Sequence, residues 1–459
     1  MPVDTQAPAR TGIEARLGPF DTAMVVVSLV IGVGIFRTPA LVAAAAGSEG
    51  VFLAAWGAGA VFSLIGALVF AEIGSRCPRA GGYYKVVAEC WHPMPAFVLN
   101  WSQVLMQGAG AAGVATIGSE YLLRAGRGLS APSGASTALA AAMLAGLTAL
   151  SAAGIKAGAR AQNALSLAKV ALIAALALSG LMAGTAAGPR GEPPVPPAPP
   201  PSAPESAGFL AALVAVLYTF GGYQNSMNLA GDVSRSRRGL PLGICGGMAI
   251  VTVLYLGINA AYLTVLGAGG VAASPLVAGE LASRVFGPSG DAIVSAAIFL
   301  SAAGFVNATV LHVPRGYLAM ARDGLLPPAL GRVHPRTQAQ GAGLLFFAAT
   351  ALAPLFFLGT FDKLLQYVMF TDALSLAALA SSLFVLRRRG AAGGGRHAPP
   401  AFQMPGYPLL PAIFLLSVAA VAADILFRQP RLALAGAAVA LGGVPLYLAG
   451  RRAWGSPSS

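Results

Sequence analysis

The sequence predicts an all-α, polytopic membrane protein, because apolar residues fill long runs that recur from one end of the chain to the other. Of the 459 residues, 56% are hydrophobic and 10% are charged, whereas a soluble domain carries about a quarter charged residues. A helix needs about 20 mostly apolar residues to cross a bilayer, and twelve runs reach that length.

The twelve predicted spans are separated by short loops, so we expect one transmembrane domain over 21–450, with cytoplasmic tails over 1–20 and 451–459. The runs are 21–46, 50–71, 94–121, 135–154, 161–184, 207–230, 240–266, 290–320, 340–359, 364–386, 408–427 and 431–450. No appended soluble domain is expected.

Basic residues give the orientation of the spans. With the N-terminus inside, about twenty Lys and Arg side chains fall in inner loops and tails and about eight fall outside, which is the positive-inside pattern. Both termini are therefore predicted to be cytoplasmic. The net charge of +13 does not indicate nucleic-acid binding, because the basic residues lie in short loops between apolar runs.

Two of the predicted spans are interrupted by glycine. Span one reads VVVSLVIGVGIFRTP, with Gly32 and Gly34, and span six reads LAALVAVLYTFGGYQNSM, with Gly221 and Gly222. In hydrocarbon a broken backbone is tolerated only where it is buried in protein or lines a cavity. Matching breaks in two halves of a chain indicate the binding site of a transporter. The alternative is that these glycines only allow close helix packing.

A proline-rich segment, GPRGEPPVPPAPPPSAP over 188–204, follows span five and is expected to be an extended outer linker. It divides the first ten spans into two sets of five, over about 21–184 and 207–386. Because five is odd, the second set enters the membrane from the opposite side, and any structural repeat is inverted. The two remaining spans, over 408–450, are additional to the repeat.

The two breaks predict a site for a zwitterion. A half-helix that follows a break presents free N–H groups at the positive end of its dipole, which can hold a carboxylate. These groups belong to Gly32, Val33, Gly34 and Ile35. Unwound carbonyls at the second break can accept hydrogen bonds from an ammonium, near Tyr218, Thr219, Phe220 and Gly221. An α-amino acid carries both groups, and almost no charged side chain is expected beside it.

Two ionisable residues lie within predicted spans. Lys169 in span five is a candidate functional residue, since a charge inside a span is functional by default, although a lysine can also extend to the membrane interface. Glu72, at the inner end of span two, is expected to pair with a nearby arginine. The His and Cys residues are scattered, so we expect no metal site, no cofactor and no catalytic centre.

Several segments together resemble bacterial amino-acid permeases of the amino acid–polyamine–organocation superfamily, closest to its L-type amino-acid-transporter-like branch. They are IGVGIF (31–36), FAEIGSRCPRAGGYY (70–84), GIKAGARAQNALSLAK (154–169), YTFGGYQN (218–225), RRGLP (237–241) and PRGYLAMARDGLLP (314–327). The resemblance implies a LeuT-type fold with a five-plus-five inverted repeat, two extra helices, and discontinuous spans one and six.

The resemblance also implies roles for individual residues. The implied substrate contacts are Val30, Gly32, Val33, Gly34, Ile35, Tyr218, Thr219, Phe220, Gly221 and Gln224, with Tyr218 as a gating aromatic. Lys169 matches a lysine that takes the place of a sodium ion in sodium-independent members. Val33 departs from the Ser or Ala that is frequent there, and Gly231-Asp232 departs from a pair of acidic residues, so inner gating is expected to differ.

The sequence therefore predicts a secondary active or facilitative transporter that moves amino acids across the bacterial inner membrane by alternating access, without sodium. Proton symport, exchange and uniport all stay open. The alternatives are a sodium-coupled amino-acid symporter and a membrane receptor that binds an amino acid without moving it. The expected partners are the amino acid, the lipid bilayer and, for symport, protons. Neither nucleic acid nor an obligate protein partner is expected.

Overall fold

The computed structural model describes residues 14–125, 134–186, 205–274, 276–357, 361–391, 401–428 and 430–454. These residues form α-helices and short 3₁₀-helices, with no β-strand among them. The predicted linker over 188–204 lies outside the described residues, as do most of the N-terminal tail and the last five residues, so those expectations are untested.

The described helices cover most of every predicted span. The α-helices are α1 (Pro19–Val30), α2 (Thr38–Ala46), α3 (Glu49–Arg76), α4 (Gly82–Cys90), α5 (Pro93–Ala125), α6 (Ala135–Ala152), α7 (Ile155–Ala186), α8 (Glu205–Thr219), α9 (Ser236–Ala273), α10 (Val277–Phe286), α11 (Gly290–Arg322), α12 (Gly341–Phe357), α13 (Phe361–Ala391), α14 (Leu409–Arg428), α15 (Pro430–Leu441) and α16 (Gly443–Trp454). The 3₁₀-helices are Gly34–Phe36, Tyr223–Leu229, Gly287–Ser289 and Pro328–Gly331.

Eight helical segments of the described chain are long and apolar enough to cross a membrane. They lie in α3, α6, α7, α9, α10–α11, α13, α14 and α15–α16, while α1 and α12 are apolar but shorter. The prediction of an all-helical, polytopic membrane protein is confirmed. The count of twelve spans stays a prediction, because it also requires helices that are shorter or more polar than these eight to cross the membrane.

Both glycine breaks are present in the structure. α1 ends at Val30, residues 31–33 are not helical, and a single 3₁₀ turn leads into α2. α8 ends at Thr219, and the chain continues after Gly222 as a 3₁₀-helix. Gly222 has a φ of 110°, a conformation that side chains with a Cβ rarely adopt.

Glycines on α9 allow α1 to pack closely against it. A Cβ added at Gly243 would lie 2.4 Å from Cβ of Thr22, and one added at Gly247 would lie 2.7 Å from Cβ of Val26. Helices within a bilayer associate through close packing rather than through the hydrophobic effect. α9 therefore packs against the helix that ends at the first break, and it also packs against α3.

Glu72 joins three parts of the chain at one end of the fold. Its carboxylate is fully buried and accepts hydrogen bonds from Nε of Arg76 at 2.8 Å and from Nη2 of Arg387 at 2.6 Å. The backbone N–H of Met404 donates to it at 2.9 Å. A buried carboxylate is destabilising unless it is paired and hydrogen-bonded. The predicted pairing of Glu72 with an arginine is confirmed.

The structure differs from the predicted spans at the loops and near the C-terminus. The run predicted over 431–450 is divided into α15 and α16 at Gly442. Two short helices, α4 and α10, fill connections that were expected to be loops. Hydropathy does not detect these features, because it averages over windows longer than one helical turn and does not resolve local backbone geometry.

Candidate functional site

A cavity of about 580 Å³ lies between the two helix breaks. Its volume is within the range of about 300–1,000 Å³ that is usual for small-molecule sites. The lining comes from both breaks and from α2, α3, α5, α8, α11, α13 and α14, and most of the lining side chains are apolar. Many helices thus contribute to one cavity beside the unwound backbone.

Eight of the ten sequence-predicted contact residues line this cavity. They are Val30, Gly32, Val33, Gly34, Tyr218, Thr219, Gly221 and Gln224. Ile35 and Phe220 are fully buried and are absent from the lining. The ring of Phe220 packs against Trp56 and Tyr255 instead, with centroid separations of 6.1 and 4.9 Å. These two residues support the breaks rather than border the cavity.

The first break leaves three backbone N–H groups without an acceptor. Within the described part of the chain, the N–H groups of Val33, Gly34 and Ile35 donate to no carbonyl and to no side chain, whereas Gly32 donates to the carbonyl of Val30 at 2.9 Å. Consecutive free N–H groups attract an anion. This part of the cavity is therefore suited to a carboxylate, and Val33 supplies no hydroxyl to assist.

The second break offers hydrogen-bond acceptors, which suit an ammonium group. In the described residues the carbonyl of Gly221 accepts no hydrogen bond, while Oε1 of Gln224 accepts one from the N–H of Gly222 at 3.1 Å. The hydroxyl of Tyr218 is buried and has no partner among the described residues. Oγ1 of Thr219 donates within its own helix, to the carbonyl of Ala215 at 2.9 Å.

Tyr255 on α9 connects the two breaks directly. Its buried hydroxyl lies 3.1 Å from the carbonyl of Val30 and 3.3 Å from the carbonyl of Thr219, and it can donate to both. A change in the position of either break would lengthen one of these contacts. Sequence reasoning missed this residue, because one tyrosine in an apolar run gives no signal of what it contacts.

Lys169 on α7 contacts the first break and is not among the residues that line the cavity. Its Nζ donates to the carbonyl of Ile31 at 2.7 Å and to the carbonyl of Ser301, on α11, at 3.1 Å. Oγ of Ser301 lies 3.0 Å from the carbonyls of both Ile31 and Gly32. The Lys169 side chain is 1% exposed, so the alternative that it extends to the membrane interface is wrong. No carboxylate among the described residues pairs with it.

Asp372 on α13 is a cavity residue that sequence reasoning missed. Its carboxylate borders the space between the breaks, and Nε2 of Gln103 on α5 donates to its Oδ1 at 2.7 Å. Asp372 is the single residue of the types Asp, Glu, Lys, Arg and His in the described lining, in keeping with the expectation of almost no charged side chain there. A lone acidic residue within the apolar run 364–386 was the signal, since intramembrane charges mark functional positions.

A buried ion pair joins α11 to the segment that follows the second break. Arg315 on α11 donates from Nε and Nη2 to the carboxylate of Asp232, at 2.7 and 2.8 Å. The backbone carbonyl of Asp232 accepts from the N–H groups of Arg16 and Leu17, at 2.8 and 2.9 Å. The segment before α1, the segment after the second break and α11 are thus joined.

The known proteins to which this chain is similar are described as permeases, transporters or exchangers. A family model described as amino acid permease matches residues 17–438. The serine/threonine exchanger SteT of Bacillus subtilis is 28% identical over 443 residues, which cover 95% of this chain and 97% of SteT. The human cystine/glutamate transporter is 27% identical over 92% of this chain and 82% of its own. The rabbit b(0,+)-type amino acid transporter 1 is 26% identical over 84% and 78%.

Proposed function

Because the chain belongs to the amino acid permease family, a multi-pass membrane protein class of transporters and not of enzymes, we propose that it moves amino acids by alternating access without sodium. One observation carries the proposal: two broken helices meet at one cavity, and the first break has free N–H groups. Transport of amino acids is also what the names of similar proteins describe.

The proposed architecture is a LeuT-type fold of twelve spans in the inner membrane of a bacterium. Two inverted sets of five occupy 21–184 and 207–386, two further helices occupy 408–450, and both termini are cytoplasmic. Helix breaks in the first helical region of each set support this arrangement, because an inverted repeat brings such breaks together at its centre. The excess of basic residues in the inner loops supports the orientation.

The proposed substrate is held by its α-carboxylate and its α-amino group. The N–H groups of Val33 and Gly34 bind the carboxylate, and carbonyls at the second break accept from the ammonium. Because each group meets its own break, esters and N-acetyl derivatives of amino acids are poor ligands. Tyr218, whose hydroxyl is buried without a partner in the described residues, closes over the bound amino acid.

Alternating access requires that one side of the cavity opens while the other stays closed. The ion pair between Arg315 and Asp232, with Leu17 bonded to the same segment, joins three parts of the chain, and we propose that it closes one side of the cavity. We propose that this side faces the cytoplasm and that the ion pair separates when substrate leaves. Its position beside the end of the second broken helix supports the idea, because movement of that helix would displace Asp232.

Lys169 is proposed to replace a bound sodium ion. A sodium site needs a cage of oxygen ligands, and here the lysine Nζ already occupies the carbonyls of Ile31 and Ser301. A charged ammonium would also repel the cation by several kcal/mol at an effective dielectric constant of about 20. The lysine links α7, the first break and α11, and thereby keeps the site in its binding shape without an ion.

Uptake measured in proteoliposomes tests the proposed function. Purified protein in liposomes should accumulate or exchange labelled amino acids from a panel of the twenty common ones, and empty liposomes should not. Excess unlabelled substrate inside the vesicles separates exchange, which it accelerates, from uniport. Saturable binding without any uptake would assign the protein to the receptor class instead.

Gly34→Leu is expected to remove amino-acid binding. A Cβ at this position would lie 3.5 Å from Cγ2 of Thr219, an ordinary contact, so alanine fits, whereas the rest of a leucine enters the cavity. We expect affinity to fall at least about tenfold, the equivalent of 1.4 kcal/mol, while Gly34→Ala has a smaller effect. Gly146→Leu, on an exposed face of α6 with open space around it, is the control. Unchanged affinity in a folded Gly34→Leu protein would remove the first break from the binding site.

A further inference from the structure

The cavity contains an acidic side chain to which the zwitterion site gives no role. Among the described residues that line it, Asp372 is the single one of the types Asp, Glu, Lys, Arg and His. No cation lies within 4.0 Å of its carboxylate in the described part of the chain. Its hydrogen bond from Gln103 is with a neutral amide.

An uncompensated carboxylate in such a place is unfavourable. A charge within a membrane span is destabilising by several kcal/mol unless it is paired or hydrated, and the lining around Asp372 is mostly apolar. Glu72 and Asp232, which are fully buried, are each paired with arginine, whereas Asp372 is partly buried and borders the cavity. Asp372 thus lacks the kind of partner that the protein gives to its structural acids.

The surroundings of Asp372 indicate where its partner would sit. Tyr218 and Tyr223 border the same cavity. Asp372 lies on α13 and its hydrogen-bond donor Gln103 on α5, so the carboxylate borders the cavity from helices that belong to neither break. The hydroxyl of Tyr218 is buried and has no partner among the described residues. Asp372 therefore presents a carboxylate without a cationic partner at the edge of one ligand-sized space.

We propose that this transporter selects amino acids with a positively charged side chain, and that Asp372 binds the side-chain cation. The inference rests on the proposed function and adds the substrate class. A zwitterionic head is neutral and satisfies the two breaks, so a ligand with one further positive charge balances the single carboxylate. Gln103 orients that carboxylate by donating a hydrogen bond to its Oδ1.

Matched pairs of ligands test the proposal in the unmodified protein. Uptake into proteoliposomes is measured separately for L-arginine and L-citrulline, which differ little in shape, and for L-lysine and L-norleucine, which lacks only the side-chain amine. We expect the cationic member of each pair to be preferred by about 10- to 100-fold, as for a hydrogen bond to a charged group. Equal uptake of both members overturns the inference and leaves amino-acid transport intact, whereas no uptake of any common amino acid overturns the proposed function itself.

Asp372→Asn tests the role of the carboxylate. Asparagine keeps the size and can still accept the hydrogen bond from Gln103, so we expect the preference for L-arginine over L-citrulline to be lost while L-citrulline uptake persists. Glu120→Gln, which removes an exposed carboxylate from α5, should keep the preference. Equal loss of both ligands would overturn the inference, because Asp372 would then bind the α-ammonium. If the variant does not fold, the ligand pairs in the unmodified protein still decide.

Discussion

Lys169→Met is expected to reduce amino-acid transport by about 10- to 100-fold, the effect of losing a hydrogen bond from a charged group to a buried acceptor. Methionine has a similar length but cannot donate to the carbonyls of Ile31 and Ser301, which Nζ contacts at 2.7 and 3.1 Å. The first break then loses its link to α7. Initial rates of uptake into proteoliposomes, normalised to the amount of inserted protein, measure the effect.

Two further variants make the test of Lys169 specific. Lys156→Met removes an exposed lysine from the same helix and should leave transport unchanged. Gly304→Ala, on α11, should disturb the same hydrogen bonds, because its Cβ would lie 2.9 Å from Cε and 3.0 Å from Nζ of Lys169. This variant should therefore also impair transport. Full activity of Lys169→Met would show that the lysine does not maintain the site.

Gly222→Ala is expected to weaken substrate binding, because the added Cβ would clash with backbone and force the two breaks apart. The residue has a φ of 110°, and a Cβ there would lie 2.6 Å from the carbonyl oxygen of Leu29, which belongs to α1. A strained residue of this kind costs about 1–3 kcal/mol, and the clash is with backbone, so the breaks must move apart. We expect substrate affinity to fall more than about tenfold and the melting temperature of the purified protein to fall.

Gly257→Ala on α9 is the matched control for Gly222→Ala. Its Cβ would meet its nearest neighbour, the Cβ of Ala177, at 3.9 Å, an ordinary van der Waals distance. Binding and melting temperature should therefore stay close to those of the unmodified protein. If Gly222→Ala bound substrate as tightly as Gly257→Ala, substrate binding would not depend on the close approach of the two breaks.

The helix breaks and the position of Lys169 could be predicted from the sequence, because both are local signals. Gly32, Gly34, Gly221 and Gly222 interrupt runs that are otherwise uniformly apolar, and a bilayer tolerates such interruptions only beside a cavity or within protein. Lys169 is an intramembrane charge within a segment that resembles amino-acid permeases. In the structure this lysine donates to the carbonyls of Ile31 and Ser301.

The contributions of the other helices could not be predicted, because they depend on how distant segments pack. Gln103, Tyr255 and Asp372 lie on α5, α9 and α13, and only the folded chain brings them to the two breaks. Hydropathy places these residues in spans but does not give the rotation of each helix. For the same reason Ile35 and Phe220, which both the helix breaks and the resemblance assigned to the site, are packed away from the cavity.

The most direct test of the account compares amino-acid uptake in sodium and in choline buffers of equal ionic strength. Proteoliposomes with the unmodified protein are loaded identically, and only the external cation differs. Because Nζ of Lys169 holds carbonyls that a sodium ion would need as ligands, the account predicts the same initial rate and the same half-saturating substrate concentration in both buffers. A steep requirement for sodium would contradict it, even if amino-acid transport itself were established.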